Sequence, residues 1–366
     1  MKHAMLIVGD DLLINSPYMD YIFKSYKEYF GEIGSIKFQS KNSELLFVVE
    51  SLTSEFESIC IFCSNESFAT MGKILATLSG DTLELGENET LITKGAIASK
   101  NGSFLINLNG VFINLINATP TQKLSEILIP FNKENVYFSL LDIDKDSAKI
   151  LLDPLIKPYK ITLTFSEIAP KWLLIKAKKD DKLSQMDTFL QGVKNLFSQK
   201  MIYGRDQVEF IAKILMKNGL KITFAESCTA GLCAFKFTKY SGASACLDGS
   251  LITYSNDIKH EWLGVENYVL DTQGAVSEEC VRQMLEGALN ASKADFSLAI
   301  SGIAGPSGGS DEKPVGTVFV GAMNKSKKSV IKRLQLDGNR EYIREQSAMS
   351  AYACLLRLEP ELFFTE

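Results

Sequence analysis

The hydrophobic pattern changes twice along the chain. In the first third, short apolar runs alternate with helically spaced segments. Ala4 to Val8 and Ser58 to Phe62 read as buried strands, whereas Tyr18 to Phe30 and Phe68 to Leu78 carry apolar residues at helical spacing. Strands alternating with helices predict a parallel sheet covered on both faces, ending near Pro130. From about residue 134 to 200, two strands, Ile161 to Phe165 and Trp172 to Ala177, are separated by Pro170. A charged turn, Lys178 to Lys182, leads into a helix with Phe189, Val193, Leu196 and Phe197 on one face. This is the texture of a small α+β module, and its charged turn reads as a solvated loop.

The remainder is the most regular part. Asp206 followed by Glu209 marks a helix start, with Phe210, Ile211, Ile214 and Leu215 as its buried stripe. Strands are predicted over Lys221 to Ala225, Leu247 to Tyr254, Phe296 to Ile300, Thr317 to Met323 and Ser329 to Leu336. Helices are predicted through Lys259 and Trp262, after a Ser277 cap, and over Arg340 to Leu358. The expected fold class is multidomain α/β, with domains at 1–133, 134–201 and 202–366.

Composition narrows the field. A length of 366 residues with 46% apolar and 23% charged residues suits two or three ordinary globular domains. A net charge of −5 gives no field that attracts phosphate backbones, so no nucleic-acid partner is expected. Two histidines, His3 and His260, exclude zinc sites built on several histidines. Seven cysteines in mostly apolar surroundings read as reduced thiols. No apolar run approaches the ~20 residues that span a membrane, and Met5 to Val8 is too short for a signal peptide. A cytoplasmic location without membrane contact is expected.

The candidate chemistry lies in the last domain. Ser227 sits where a strand gives way to a helix, a turn that exposes a side chain and aims unpaired helix N–H groups at a ligand. A helix cap is the bland reading of the same serine. With histidine scarce, a lysine is the available base, and Lys259 follows Tyr254 by a short turn. Such a lysine must have its pKa lowered by burial or a neighbouring cation. The loop from Ser301 through Gly302 and Gly305 to Gly309 allows close backbone approach, but it is not a Walker A loop. Arg340, at a helix start, suits a phosphate or carboxylate. Cys228 paired with His260 is the rival nucleophile and base.

Together these segments resemble one family. Ala225-Glu226-Ser227-Cys228-Thr229, Gly242-Ala243-Ser244-Ala245, Ile252-Thr253-Tyr254-Ser255-Asn256 with Lys259, Gly274-Ala275-Val276-Ser277, Ser301 to Pro306 and Lys313 to Val318 follow in order. That pattern is similar to the CinA C-terminal domain, nicotinamide-nucleotide amidohydrolase, from about residue 203 onward. The resemblance implies deamidation of nicotinamide mononucleotide to nicotinate mononucleotide and ammonia. It implies Ser227 as nucleophile, Lys259 as base, and Tyr254 and Ser244 as positioning or relay groups. Thr229, Ser301, Gly302, Gly305 and Arg340 would bind substrate, with no metal or other cofactor. The implied partners are a small nucleotide substrate and a second copy of the chain.

Full-length relatives of this kind carry a MoaB/MogA-like domain and a KH-like module ahead of the amidohydrolase domain. The first domain is associated there with metal-dependent ADP-ribose pyrophosphatase activity. Gly9-Asp10-Asp11-Leu12-Leu13 resembles its opening motif, but Phe62 to Phe68 replaces its glycine-rich loop and paired aspartates, and Asn114 to Pro120 its closing turn. Without those glycines and aspartates a pyrophosphate and its cation lose their donors. A folded domain without pyrophosphatase activity, retained for dimerisation, is expected. Cys60 and Cys63 should point to opposite faces of a strand and not share a metal. The alternatives are a surviving pyrophosphatase and a non-catalytic adaptor. Intact Ser227 and Lys259 favour the amidohydrolase.

Overall fold

Strands buried at every position must be covered on both faces, and His3–Val8 and Ser58–Cys63 are buried throughout. In the computed structural model, which describes residues 2–86, 89–131 and 135–364, they are neighbours in a six-stranded sheet. The chain forms two compact units, Met1–Lys133 and Glu134–Glu366.

The sheet of the first unit runs in the order Ser35–Gln39, His3–Val8, Ser58–Cys63, Val111–Asn117, Ser103–Leu108, Ala98–Lys100. Its first four strands are parallel and the last two antiparallel. The departure from an all-parallel sheet has a local cause. Asn109 and Gly110, both at positive φ (52° and 92°), fold the apolar stretch Phe104 to Ile116 into a hairpin. Helix Ser16–Phe30 covers the face that holds Cys60, while Leu45–Glu55 and Asn65–Ser79 cover the face that holds Cys63. The two thiols therefore belong to different cores, and burial pushes the Cys63 thiol up to about 12.

The second unit holds two sheets. An antiparallel one runs Ile161–Ala169, Trp172–Lys179, Asn135–Leu141, Met201–Tyr203. Helices Lys145–Tyr159 and Met186–Leu196 pack on one face around Phe138, Leu173 and Phe189. The sequence pattern did not reveal Asn135–Leu141 or Lys145–Tyr159. Pro154 and Pro158 inside that helix disguise it as loop. Trp172, Leu141 and Ile202 join the core of the second sheet instead.

That second sheet runs Ser250–Ile252, Ile222–Glu226, Phe296–Gly302, Thr317–Asn324, Ser329–Gln335, with the first three parallel and the rest antiparallel. Gln207–Lys217 and Arg340–Leu358 pack on one face, and Glu278–Ser292 with Asn256–Leu263 on the other. Side chains cap these helices: Asp206, Ser255, Ser277 and Asn339 each accept from an amide in the first turn. Open α/β sheets bind ligands beyond the carboxyl ends of their parallel strands. Here those ends are Glu226, Ile252 and Gly302. Among the described residues, no helix is long and apolar enough to cross a membrane.

Helix Glu278–Ser292 holds Asn256–Leu263 by close backbone approach, because a Cβ on Gly287 would lie 2.1 Å from the Leu263 carbonyl oxygen. Gly287→Ala is expected to destabilise the chain by about 1–3 kcal/mol, read from the urea midpoint, and to displace the helix that carries Lys259. An unchanged midpoint would show that the two helices can part freely.

Candidate active site

Three chain segments meet at the carboxyl ends of the parallel strands. Strand Ile222–Glu226 delivers Ser227, whose amide donates to the Ile300 carbonyl (3.0 Å). Glu226 is fully buried, and its carboxylate accepts from the Cys233 and Ala234 amides (3.1 and 3.0 Å). This changes one expectation. The helix N–H groups foreseen as free for a ligand are occupied by Glu226, which fixes the turn between strand and helix instead.

The second segment follows Ser250–Ile252. Ser255 caps helix Asn256–Leu263, and this sets Lys259 one turn inside it. Lys259 is 1% exposed. Its Nζ lies 3.1 Å from Ser227 Oγ and donates to the carbonyls of Thr253 (2.9 Å) and Tyr254 (3.1 Å). Burial lowers its pKa below the usual 10.5, and the neighbouring thiols of Cys280 and Cys228 oppose that shift. A neutral amine has two N–H donors and one lone pair. The Ser255 carbonyl is a third, more distant acceptor at 3.5 Å; in the neutral amine, donation to Thr253 and Tyr254 leaves the lone pair for Ser227.

The third segment is the loop after Phe296–Gly302. The Ser301 hydroxyl donates to the Ala275 carbonyl (2.7 Å). A Cβ on Gly302 would meet Val318 at 2.7 Å, so the strand pairing requires glycine there. The Gly305 carbonyl accepts from Arg340 Nη1 (2.7 Å), while Nη2 donates to the Tyr254 hydroxyl (2.8 Å). These groups line one pocket of about 260 Å³ with Ser227 and Lys259 at its wall. Ala304 and Gly305 also line that pocket, and their backbone amides have no acceptor among the described residues.

Residues 205–358 match the CinA C-terminal domain. The chain is 46% identical over 147 residues to the nicotinamide-nucleotide amidohydrolase PncC of Enterobacter agglomerans, covering 40% of this chain and 90% of that protein. The chain belongs to the CinA family. It is 28% identical over 360 residues to a CinA-like protein of Thermosipho melanesiensis, across 96% of this chain and 78% of the relative. The crystal structure of competence/damage inducible protein CihA from Agrobacterium tumefaciens matches 43% of this chain and 98% of its own, at 38% identity and a TM-score of 0.41.

Not every residue expected from the CinA pattern reaches the pocket. Ser244 is exposed on the short turn Ala243–Ala245. The adjoining Cys246 carbonyl accepts from Ile222, at the start of the strand that ends beside Ser227. Five strand residues, roughly 15 Å, separate the two serines, so Ser244 relays no proton within this chain. Thr229 is buried outside the pocket wall, with its carbonyl held by Arg344 Nη2 (2.7 Å). Arg340 is committed to Gly305 and Tyr254, so it shapes the pocket as well as offering charge.

The rival pair does not assemble. Burial pushes the Cys228 thiol up to about 11, whereas a cysteine nucleophile needs a lowered value. His260 Nδ1 is occupied by the Val265 carbonyl (2.8 Å) and lies outside the pocket. Among the described residues, no three His, Cys, Asp or Glu side chains gather to hold a metal ion.

The lowered pKa of Lys259 has a thermodynamic signature. Between that value and 10.5 the native chain binds fewer protons here than the unfolded chain. The buried ammonium thus opposes folding at neutral pH, and the opposition fades as pH rises. Urea titrations should show wild type gaining stability relative to Lys259→Met as pH increases toward 10.5. A pH-independent difference would mean that the lysine is not perturbed.

Proposed function

We propose that this chain is a nicotinamide-nucleotide amidohydrolase, converting nicotinamide mononucleotide and water to nicotinate mononucleotide and ammonia. The observation that carries the reading is the 3.1 Å contact between Ser227 Oγ and the buried Lys259 Nζ in the pocket wall. The PncC name of the 46% identical relative supports the choice of substrate.

Ser227 Oγ attacks the carboxamide carbon as its proton passes to the lone pair of neutral Lys259. The C–N bond then breaks, and the Lys259 proton leaves with ammonia. Water attacks the resulting ester, again losing its proton to Lys259, and the C–Oγ bond breaks to restore the serine hydroxyl. The backbone amides of Ala304 and Gly305, which have no acceptor among the described residues, would donate to the developing oxyanion. Tyr254, steadied by Arg340, faces the same space and orients the substrate. The chemistry needs no metal, because a serine nucleophile with a base and amide donors suffices for amide hydrolysis.

The pocket that holds Ser227 and Lys259 is lined by residues of the second unit. Where the glycine-rich loop of the MoaB/MogA-like pattern would stand, Ser64 Oγ bonds Ser67 Oγ (3.2 Å), and Asn117 bonds Asn65 (3.1 Å). These groups satisfy one another, which supports a domain without pyrophosphatase activity.

Ammonia release from nicotinamide mononucleotide should persist in EDTA and fall by about 10³-fold or more in Ser227→Ala. Lys259→Arg should be equally inactive, because arginine keeps the charge and cannot act as a base. Activity surviving in Lys259→Arg would overturn the role of the lysine. The wild-type rate should rise with pH as Lys259 deprotonates, with its inflection below 10.5.

A further inference from the structure

Two segments that follow the CinA pattern, Gly274 to Ser277 and Lys313 to Val318, supply no group to the proposed reaction. They meet beside the pocket. Ala275 and Val276 form part of its wall and are half-buried, so each keeps surface for a ligand. Their segment, 273–277, joins helix Asn267–Thr272 to helix Glu278–Ser292. Gly274 turns the chain there at φ 78°, in the left-handed region that favours glycine.

Three consecutive carbonyls of this segment each accept from a different side chain. Gln273 accepts from Lys313 Nζ (2.7 Å), Gly274 from Ser277 Oγ (2.8 Å) and Ala275 from Ser301 Oγ (2.7 Å). The Ser277 bond is local and shapes the turn that starts the next helix. The other two come from distant chain. Among the described residues, they are the only hydrogen bonds that tie 273–277 to anything beyond its flanking helices. Ser301 belongs to the strand Phe296–Gly302, so that tie is anchored in the sheet. Lys313 supplies the second tie, from a loop.

That loop, 303–316, is closed at its base, where the Gly316 amide donates to the Ile303 carbonyl (2.8 Å). Ser310 and Lys313 exchange two bonds within it: Ser310 N donates to the Lys313 carbonyl (2.9 Å) and Lys313 N to Ser310 Oγ (3.1 Å). On either side, the Glu312 and Val315 carbonyls accept from Arg333 Nη2 (3.0 Å) and Gln335 Nε2 (2.9 Å) of the last strand. The outgoing half of the loop lines the pocket through Gly305, Ser307 and Gly308. The Lys313 ammonium makes no ion pair among the described residues, and the Gln273 carbonyl is its one hydrogen-bond acceptor there.

We propose that Lys313 is a positioning residue for substrate binding. By clasping the Gln273 carbonyl it holds the Ala275–Val276 wall against the loop 303–316, at the spacing that binds the nucleotide. The inference rests on the amidohydrolase reading for its substrate. Lysine suits the task, because its four-carbon stem carries a donor from one segment to the other and its charge strengthens the bond. The clasp touches neither reacting group. Ser227 is fixed by the Ile300 carbonyl, and Lys259 by the Thr253 and Tyr254 carbonyls. Loss of the clasp therefore weakens binding and spares the chemical step.

Steady-state ammonia release from nicotinamide mononucleotide by wild type, Lys313→Met and Lys313→Arg tests this. Lys313→Met should raise KM about fivefold or more with kcat held within about twofold, the pattern of lost binding. Lys313→Arg, which also donates to a carbonyl, should recover most of the wild-type KM. Backbone amide exchange over 274–277 should quicken in Lys313→Met and stay at the wild-type rate in Lys313→Arg. In an active enzyme, an unchanged KM in Lys313→Met, an equal rise in Lys313→Arg, or a fall in kcat alone would overturn the proposal. An inactive wild type would instead overturn the amidohydrolase reading. The exchange measurement needs no substrate, and equal rates in wild type and Lys313→Met would show that Lys313 does not hold the wall.

Discussion

The second unit is organised around a buried lysine. An ammonium taken from water is costly, and the fold offsets that cost only partly, through the Thr253 and Tyr254 carbonyls. The result is a lysine with lowered pKa, held against a serine. Everything near it serves to keep that lysine where it is. Ser255 starts its helix, Gly287 lets a second helix press on the end of it, and the core around Leu263, Val281 and Leu285 seals the back.

The serine is fixed by different means. Its turn is tied to the sheet by the Ile300 carbonyl, to the next helix by the Glu226 carboxylate, and to the C-terminal helix by Arg344 on the Thr229 carbonyl. Arg340, one turn earlier on that helix, holds the opposite wall through Gly305 and Tyr254. Two arginines thus join three loops that come from separate parts of the sequence. The proposed transfer of a proton from the serine hydroxyl to a deprotonated amine would require such placement, because charge would not draw the two groups together.

Much of this was legible from residue patterns. Period-two and period-3.6 apolar spacing located the strands and helices of the last domain, and Ser277 and Arg340 marked helix starts. Ser227 and Lys259 were legible as a pair through their resemblance to the CinA pattern, since a helix cap accounts for the serine taken alone. What stayed hidden depended on long-range contacts. Glu226 looked like part of a motif, yet its burial and its two amide partners arise only when the helix folds back. Ser244 sits in a family motif, but the strand that separates it from Ser227 places it at the far end of the sheet. The helix Lys145–Tyr159 was obscured by two prolines, and the hairpin at Asn109-Gly110 by reading its two strands as one run.

In the proposed reaction Ser227 becomes covalently acylated while Lys259 carries the proton. Rapid quenching of the enzyme with nicotinamide mononucleotide, followed by peptide mass analysis, tests it most directly. The expected result is a mass increase equal to the nicotinate mononucleotide acyl group, confined to the peptide that holds Ser227 and absent in Ser227→Ala. An adduct on Cys228, or full turnover in Ser227→Ala with no adduct on any peptide, would contradict it.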